Sequence, residues 1–337
     1  MLRPFGTEYD ISNAFWAGLG MAVAGLEIYN LFRPVDRFVP IVILGFGLMG
    51  LVVTRPWLIR KLRCLIQNRG LLVLCLAAAA VVALRATGPC DHFDTGYYGA
   101  ETVRWILTYP VVPGLANLDA WFGINSSVFL CFAALGQGPW RNEAHHLFVG
   151  FLVVAMLFCC IPAFWRLFTG RSASASDWFR AILLIPAGEW AMTGLVVGTN
   201  TDISVAVAGL TGAIFLFDRL EQQGSDPYAN ANSITAAIVL GLAVVFKVSV
   251  LVYAAVAWVV LCVFVLSRTT PGEFRLARIL PILGFPAILV IPWLIRGAIL
   301  SGYAIFPDPQ TALNVGWRDP AVTVQLWRGV VESFARF

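Results

Sequence analysis

The sequence predicts an all-α fold, a polytopic bundle of transmembrane helices, and three observations carry that expectation. Of 337 residues, 59% are hydrophobic and 12% charged, against roughly 45–50% and about 25% in an ordinary soluble domain. Apolar runs of about 17–25 residues recur along the chain, the length a helix needs to cross about 30 Å of hydrocarbon with its backbone hydrogen bonds kept internal. The basic residues behind the formal net charge of +4 collect between those runs, as the positive-inside rule expects. The charge is therefore no signal for a nucleic-acid partner.

In chain order the runs place nine spans at about 14–32, 38–54, 70–87, 146–166, 180–198, 202–217, 232–246, 249–267 and 279–299. The preceding MLRPFGTEYDISNAFW carries acidic residues and no small-residue cleavage site, so it reads as a cytoplasmic lead-in. Arg55, Arg60, Lys61, Arg63 and Arg69 follow the second span as a basic loop. Arg166, Arg171 and Arg180 flank the fourth connection, and Arg268, Arg275 and Arg278 precede the last span. All three fall on one side, expected to be the cytoplasm, when residues 88–145 contain no complete crossing. INSSVFLCFAALG at 124–136 supplies only about a dozen apolar residues, which suits a re-entrant or interfacial helix. The expected organisation is one transmembrane domain over residues 1–337, with an extracytoplasmic loop at 88–145 and an extracytoplasmic segment at 301–337. SASASD at 172–177 and EQQGSDPYANAN at 221–232 read as polar connectors.

The seven cysteines offer no metal or disulfide framework. Cys75, Cys131, Cys159, Cys160 and Cys262 lie inside apolar runs, where a thiol is a small buried hydrophobe. Cys64 and Cys90 are expected on opposite sides of the membrane, and no CxxC or Cys/His spacing is present.

Residues 88–127 concentrate chemistry in a chain that spends few charges: Asp91, His92, Asp94, Glu101, Arg104 and Asp119. Pro89, Gly96 and Gly99 predict a turn-rich start, and 98–108 predicts an amphipathic surface helix. A carboxylate at a span end, beside Phe93, Tyr97 and Tyr98, is partly desolvated, and the raised proton affinity that follows suits a general base. The plainer alternative is a solvated loop whose Asp residues cap helices. Lys247, one of two lysines, interrupts a long apolar stretch; it lines a polar interior or marks a tight turn between two spans. Arg296 follows Pro292 near the outer end of the ninth span, where a guanidinium grips a phosphate with two bonds or snorkels to headgroups. Glu27 and Glu189 sit within apolar spans. Asn200 and Asp202 of the GTNTD turn cap the following helix or meet an acceptor, and His145 and His146 enter the fourth span without further metal ligands in view.

The segments DTGYYGAETVRWI (94–106), YPVVPGLANL (109–118), GINSS (123–127), KVS (247–249) and PWLIRGAILSGYAIFPDP (292–309) resemble, in order, those of GT-C-type membrane glycosyltransferases, and especially a group of large bacterial GT-C-like membrane proteins. The resemblance spans about two-thirds of the chain. It implies a GT-C-like fold in a bacterial inner membrane and a polyprenyl-phosphate-linked sugar donor as partner, alongside membrane lipid. By position Asp94 matches the acidic residue of the first extracytoplasmic loop that deprotonates or orients the acceptor, with Asp91 a weaker second. A lipid-phosphate leaving group needs cations, and Arg296 and Lys247 are the candidates; Tyr97, Asn125 and Tyr303 are candidate sugar or loop contacts. No cofactor is implied with certainty, since a divalent metal is needed by some members and not by others. Members of the group are longer, so the resemblance implies later spans or a C-terminal part of the site beyond the matched segments.

The implied reaction is a single displacement that moves a sugar to an acceptor at the outer face. The rival from another class is a transporter or flippase of lipid-linked saccharide, whose buried charges line a path. An inert membrane scaffold is the third alternative.

Overall fold

The computed structural model describes residues 11–140, 143–171, 173–222, 227–268 and 275–334. The lead-in at 1–10 and parts of both polar connectors lie outside the described residues. Twelve α-helices carry the chain: α1 (Ile11–Phe32), α2 (Phe38–Gln67), α3 (Arg69–Ala86), α4 (Ala100–Thr108), α5 (Val128–Gly136), α6 (Phe148–Phe168), α7 (Ala175–Met192), α8 (Thr201–Glu221), α9 (Pro227–Phe246), α10 (Leu251–Ser267), α11 (Arg275–Ser301) and α12 (Ala321–Phe334). Among the described residues there is no β-strand, only a single bridge between Tyr303 and Ala312.

Each expected span overlies one helix. Among the described residues, seven helices are long and apolar enough to cross a membrane, namely α1, α2, α3, α6, α8, α10 and α11. The two others differ for physical reasons. α7 carries Asp177, Arg180 and Glu189, and the apolar part of α9 begins only at Ala231. α9 packs against α8, α11, α1 and α10, and every residue from Ala236 to Phe246 is buried. Its surroundings are protein rather than lipid. Gly212 of α8 makes that close crossing feasible, since a Cβ there would stand 2.9 Å from Leu240.

One expectation is corrected. Residues 55–67 are not a loop: α2 runs through Pro56 to Gln67, and the turn into α3 is the single residue Asn68, whose side chain accepts from Leu71 N–H at 3.3 Å. Arg55-Pro56 reads as a helix stop because proline lacks the N–H that bonds back one turn. Here one lost bond is tolerated in a helix of 30 residues. At about 1.5 Å per residue it is about 45 Å long, so Arg60, Lys61 and Arg63 extend past about 30 Å of hydrocarbon without leaving helical geometry.

Lys247 sits at a turn. α9 and α10 form an antiparallel hairpin, with Trp258 Nε1–H donating to Ala237 O at 3.3 Å and Leu240 and Val244 packed on Ala254 and Ala257. Segment 124–136 contains α5, nine residues and about 14 Å long, less than half the hydrocarbon thickness and buried from Val128 to Ala134.

Residues 88–140 and 302–334 meet at one end of the bundle. Asn117 donates to Trp317 O at 2.8 Å, Gly114 N–H to Ile299 O at 2.8 Å, and the Trp121 and Trp327 rings meet edge to face. The opposite end holds a separate ionic network in which Arg166 pairs with Asp177 and Arg180 with Asp218, while Arg219 donates to Ser233 Oγ at 3.0 Å.

Candidate functional site

The acidic loop begins with one turn of π-helix, Thr95–Gly99, that runs directly into α4. Single π turns recur at functional sites because they re-aim side chains within a helix. α4 is amphipathic as expected: Thr102 and Ile106 are buried, while Glu101 and Arg104 pair on the exposed face at 3.5 Å. Two contacts fix the π turn against the 198–202 turn. Thr199 N–H donates to Thr95 Oγ1 at 2.8 Å, and Gly99 lies so close to the Thr199 side chain that any Cβ would collide with its hydroxyl.

That second turn starts α8. Asn200 caps it by accepting from Ile203 N–H at 3.0 Å, the capping alternative foreseen for this residue. Asp202 then stands in the first turn of α8 and pairs with Lys247, which follows the last residue of α9. Both charges complement the helix ends they occupy. Asp94 is half-buried beside the same turn. Tyr98 O–H makes a long hydrogen bond to Asp94 Oδ2 at 3.5 Å. Burial, reinforced by the Asp94 and Asp202 carboxylates, pushes the Tyr98 phenol well above its usual range, so it stays protonated and acts as a donor to Asp94. Asp94, Tyr98, Asp202 and Lys247 therefore form one polar group drawn from three separate parts of the chain.

An aromatic array adjoins it. Tyr98 stacks on Trp121 with centroids 4.7 Å apart and planes at 13°; Phe93 stacks on Tyr97 at 5.1 Å and 22°; Tyr97 and Trp327 meet Trp121 edge to face. Phe93 and Tyr97 are exposed, so part of the array presents ring faces outward.

A second polar group lies deeper. Arg296, buried in α11, donates from Nε to Asn30 Oδ1 at 3.1 Å and from a terminal nitrogen to Asn125 Oδ1 at 2.5 Å. Asn125 in turn donates to Trp293 O at 2.6 Å, while its own carbonyl accepts Trp293 Nε1–H. Glu27 is wholly buried, accepts from Ser127 Oγ, and feels the Arg296 charge; its Oε2 has no hydrogen-bond partner among the described residues. Ser126 and Ser127 close the α9 end by donating to Phe246 O and Val245 O, carbonyls that a helix terminus leaves unpaired. GINSS is thus a clamp joining α1, α9 and α11. A cavity of about 20 Å³ borders Arg296, Asn30, Thr102, Tyr109 and Phe129, which is room for one water molecule.

The seven residues singled out in the sequence separate into distinct places. Asp94, Tyr97 and Lys247 lie in the outer polar and aromatic group. Arg296 and Asn125 belong to the inner one, joined to the outer group through Tyr98, whose ring meets Phe129 edge to face, and through Ser126, which donates to Phe246 O beside Lys247. Arg296 is buried and bonded to Asn30 and Asn125, and so binds the loop to the helices. Tyr303 is buried beside Ala120, Phe306 and Val324, and its hydroxyl donates to Asp319 O at 3.0 Å. Asp91 is exposed and lines a recess of about 320 Å³ with Arg85, Pro89 and Met192. Glu189 is exposed on α7. Sequence reasoning passed over Trp121 and Trp327, which carry no spacing signal, and gave Asp202 little weight because its partner lies 45 residues away.

Comparison with curated proteins and comparison with solved structures each give no match. A family model matches residues 2–337, nearly the whole chain, and the chain belongs to the family described as Domain of unknown function (DUF8201).

Proposed function

We propose that this protein is a GT-C-like transferase that moves a sugar from a polyprenyl-phosphate donor to an acceptor at the extracytoplasmic face of a bacterial inner membrane. In this reading all nine long helices cross, α5 is a re-entrant element held inside protein, and the end bearing residues 88–140 faces outward. The observation that carries it is the outer group itself: a half-buried carboxylate, Asp94, beside a stacked aromatic surface and within one cluster with Lys247.

Each part has a role its chemistry suits. Asp94 accepts the acceptor hydroxyl proton on Oδ1, which has no hydrogen-bond partner among the described residues, while Tyr98 holds Oδ2. Phe93, Tyr97 and Trp121 offer ring faces to the apolar C–H face of a sugar. Lys247 exchanges Asp202 for the donor phosphate and steadies the charge that grows as the glycosidic bond breaks. Arg296 acts indirectly, by fixing Asn125 and the loop. The narrow cavity at Arg296 supports reaction at the surface over passage of a saccharide past those buried charged residues, which is how a flippase would use them.

The test is transfer from defined polyprenyl-phosphate sugars by purified protein. Asp94→Asn keeps size and most hydrogen bonding but removes proton acceptance, so turnover falls about 10²-fold or more with an unchanged melting temperature. Asp91→Asn costs less. Undiminished transfer by Asp94→Asn sinks the assignment.

A further inference from the structure

Glu143, His145 and His146 lie at the outer end of α6, apart from the Asp94 group. Their side chains bring one carboxylate oxygen and two imidazole nitrogens within 4.8 Å of one another. We propose that these three residues bind a divalent transition-metal ion of borderline softness, Zn²⁺ foremost.

Donor chemistry sets the class of ion. Two imidazoles and one carboxylate suit zinc and its neighbours, whereas calcium and magnesium favour all-oxygen shells. Distance agrees: at zinc–ligand bonds of about 2.0–2.1 Å, two ligands of a tetrahedron stand about 3.3 Å apart. His146 Nε2 and Glu143 Oε2 are 3.3 Å apart. His145 offers the third ligand atom, which lies within the same 4.8 Å group.

The surroundings orient the ligands. His146 Nδ1 is 2.6 Å from Ala86 O, a carbonyl at the end of α3. A carbonyl can only accept, so Nδ1 carries the proton, and in the neutral ring Nε2 keeps its lone pair toward Glu143. An imidazole whose far nitrogen is held by a backbone carbonyl is the usual support of a metal-ligating histidine. The His145 carbonyl accepts Gly198 N–H at 2.9 Å, which ties the adjacent ligand to the turn before α8. The site is also reachable: the Glu143 side chain is 62% exposed. Glu143 and His146 border a groove of about 520 Å³ between α3 and α6, together with Ala83, Gly150 and Val154. Three protein ligands leave a fourth position for water or an incoming oxygen. The competing account is a simple ion pair of Glu143 with protonated His146, in which both ring nitrogens donate and no ion is held.

Zinc alone is the probe. The purified full chain is stripped with chelator, re-exposed to Zn²⁺ in detergent, desalted and measured by elemental analysis and calorimetric titration. About one zinc per chain is expected, with a melting temperature that rises on zinc addition. His145→Ala and His146→Ala should each weaken binding about tenfold or more and abolish that rise. Glu143→Gln, at an exposed position, keeps the fold and should also lose about tenfold, so the reading stands even if a histidine variant fails to fold. No zinc retained by the wild-type chain, or equal affinity in wild type and Glu143→Gln, overturns the site.

Discussion

Lys247 and Asp202 are ion-paired across the gap between the end of α9 and the start of α8. The pair is only partly enclosed, with side-chain exposures of 40% and 62%. A pair this exposed contributes little to stability, and in the proposed reaction its role is to hold an ammonium for the donor phosphate. Lys247→Ala should weaken binding of a polyprenyl phosphate about tenfold or more, on the scale of one charge-assisted hydrogen bond. Lys247→Arg should retain most of it, and Asp202→Asn should not weaken it. Binding measured in nanodiscs decides: unchanged affinity in Lys247→Ala reduces the pair to a helix-end ornament.

Arg296 and Glu27 predict the opposite balance, large for stability. Removing the guanidinium as Arg296→Met strands the side-chain oxygens of Asn30 and Asn125 and takes away the nearby charge felt by the wholly buried Glu27. Leaving buried amide oxygens without their donor costs about 1–3 kcal/mol each, so the melting temperature in detergent should drop sharply. Glu27→Gln combined with Arg296→Met should recover part of the loss. A single Arg296→Met variant that melts with the wild type would refute the structural role.

Asp319 supplies a pH dependence outside the spans. It is 1% exposed, its Oδ2 has no hydrogen-bond partner among the described residues, and burial raises its carboxyl above the usual range. The folded chain therefore holds this proton more tightly than the unfolded chain, whose value is about 3.9. The favourable contribution is complete below that value and is lost as pH rises through the folded one. Asp319→Asn should match the wild type in acid and exceed its melting temperature at neutral pH. A lower melting temperature at neutral pH would show that the ionised carboxylate is stabilising.

Orientation can be read by labelling. Gly96 and Leu65 lie at opposite ends of the bundle, in the π turn and in the last turns of α2. In intact cells a membrane-impermeant maleimide should modify Gly96→Cys and leave Leu65→Cys untouched until the cells are opened, with native cysteines replaced. The reverse pattern would invert the topology.

Sequence alone determined the class and the helices. Apolar run length is a local property, because a helix in hydrocarbon must satisfy its own backbone, and for that reason each expected span overlies a helix. It also exposed Lys247 as a turn candidate and residues 88–127 as the segment where charged residues concentrate. Local reading failed at Pro56, where a helix long enough absorbs one missing bond. Only the tertiary structure decided the partners. Arg296 looks like an interfacial cation in sequence, yet it meets Asn30, 266 residues away, because α1 and α11 pack side by side. Tyr303 reads as a candidate sugar or loop contact, yet Ala120, Phe306 and Val324 bury it. Trp121 gains meaning only from Tyr98 and Trp327 around it. Such contacts depend on which helix faces meet, and no pattern confined to one stretch of chain encodes that choice.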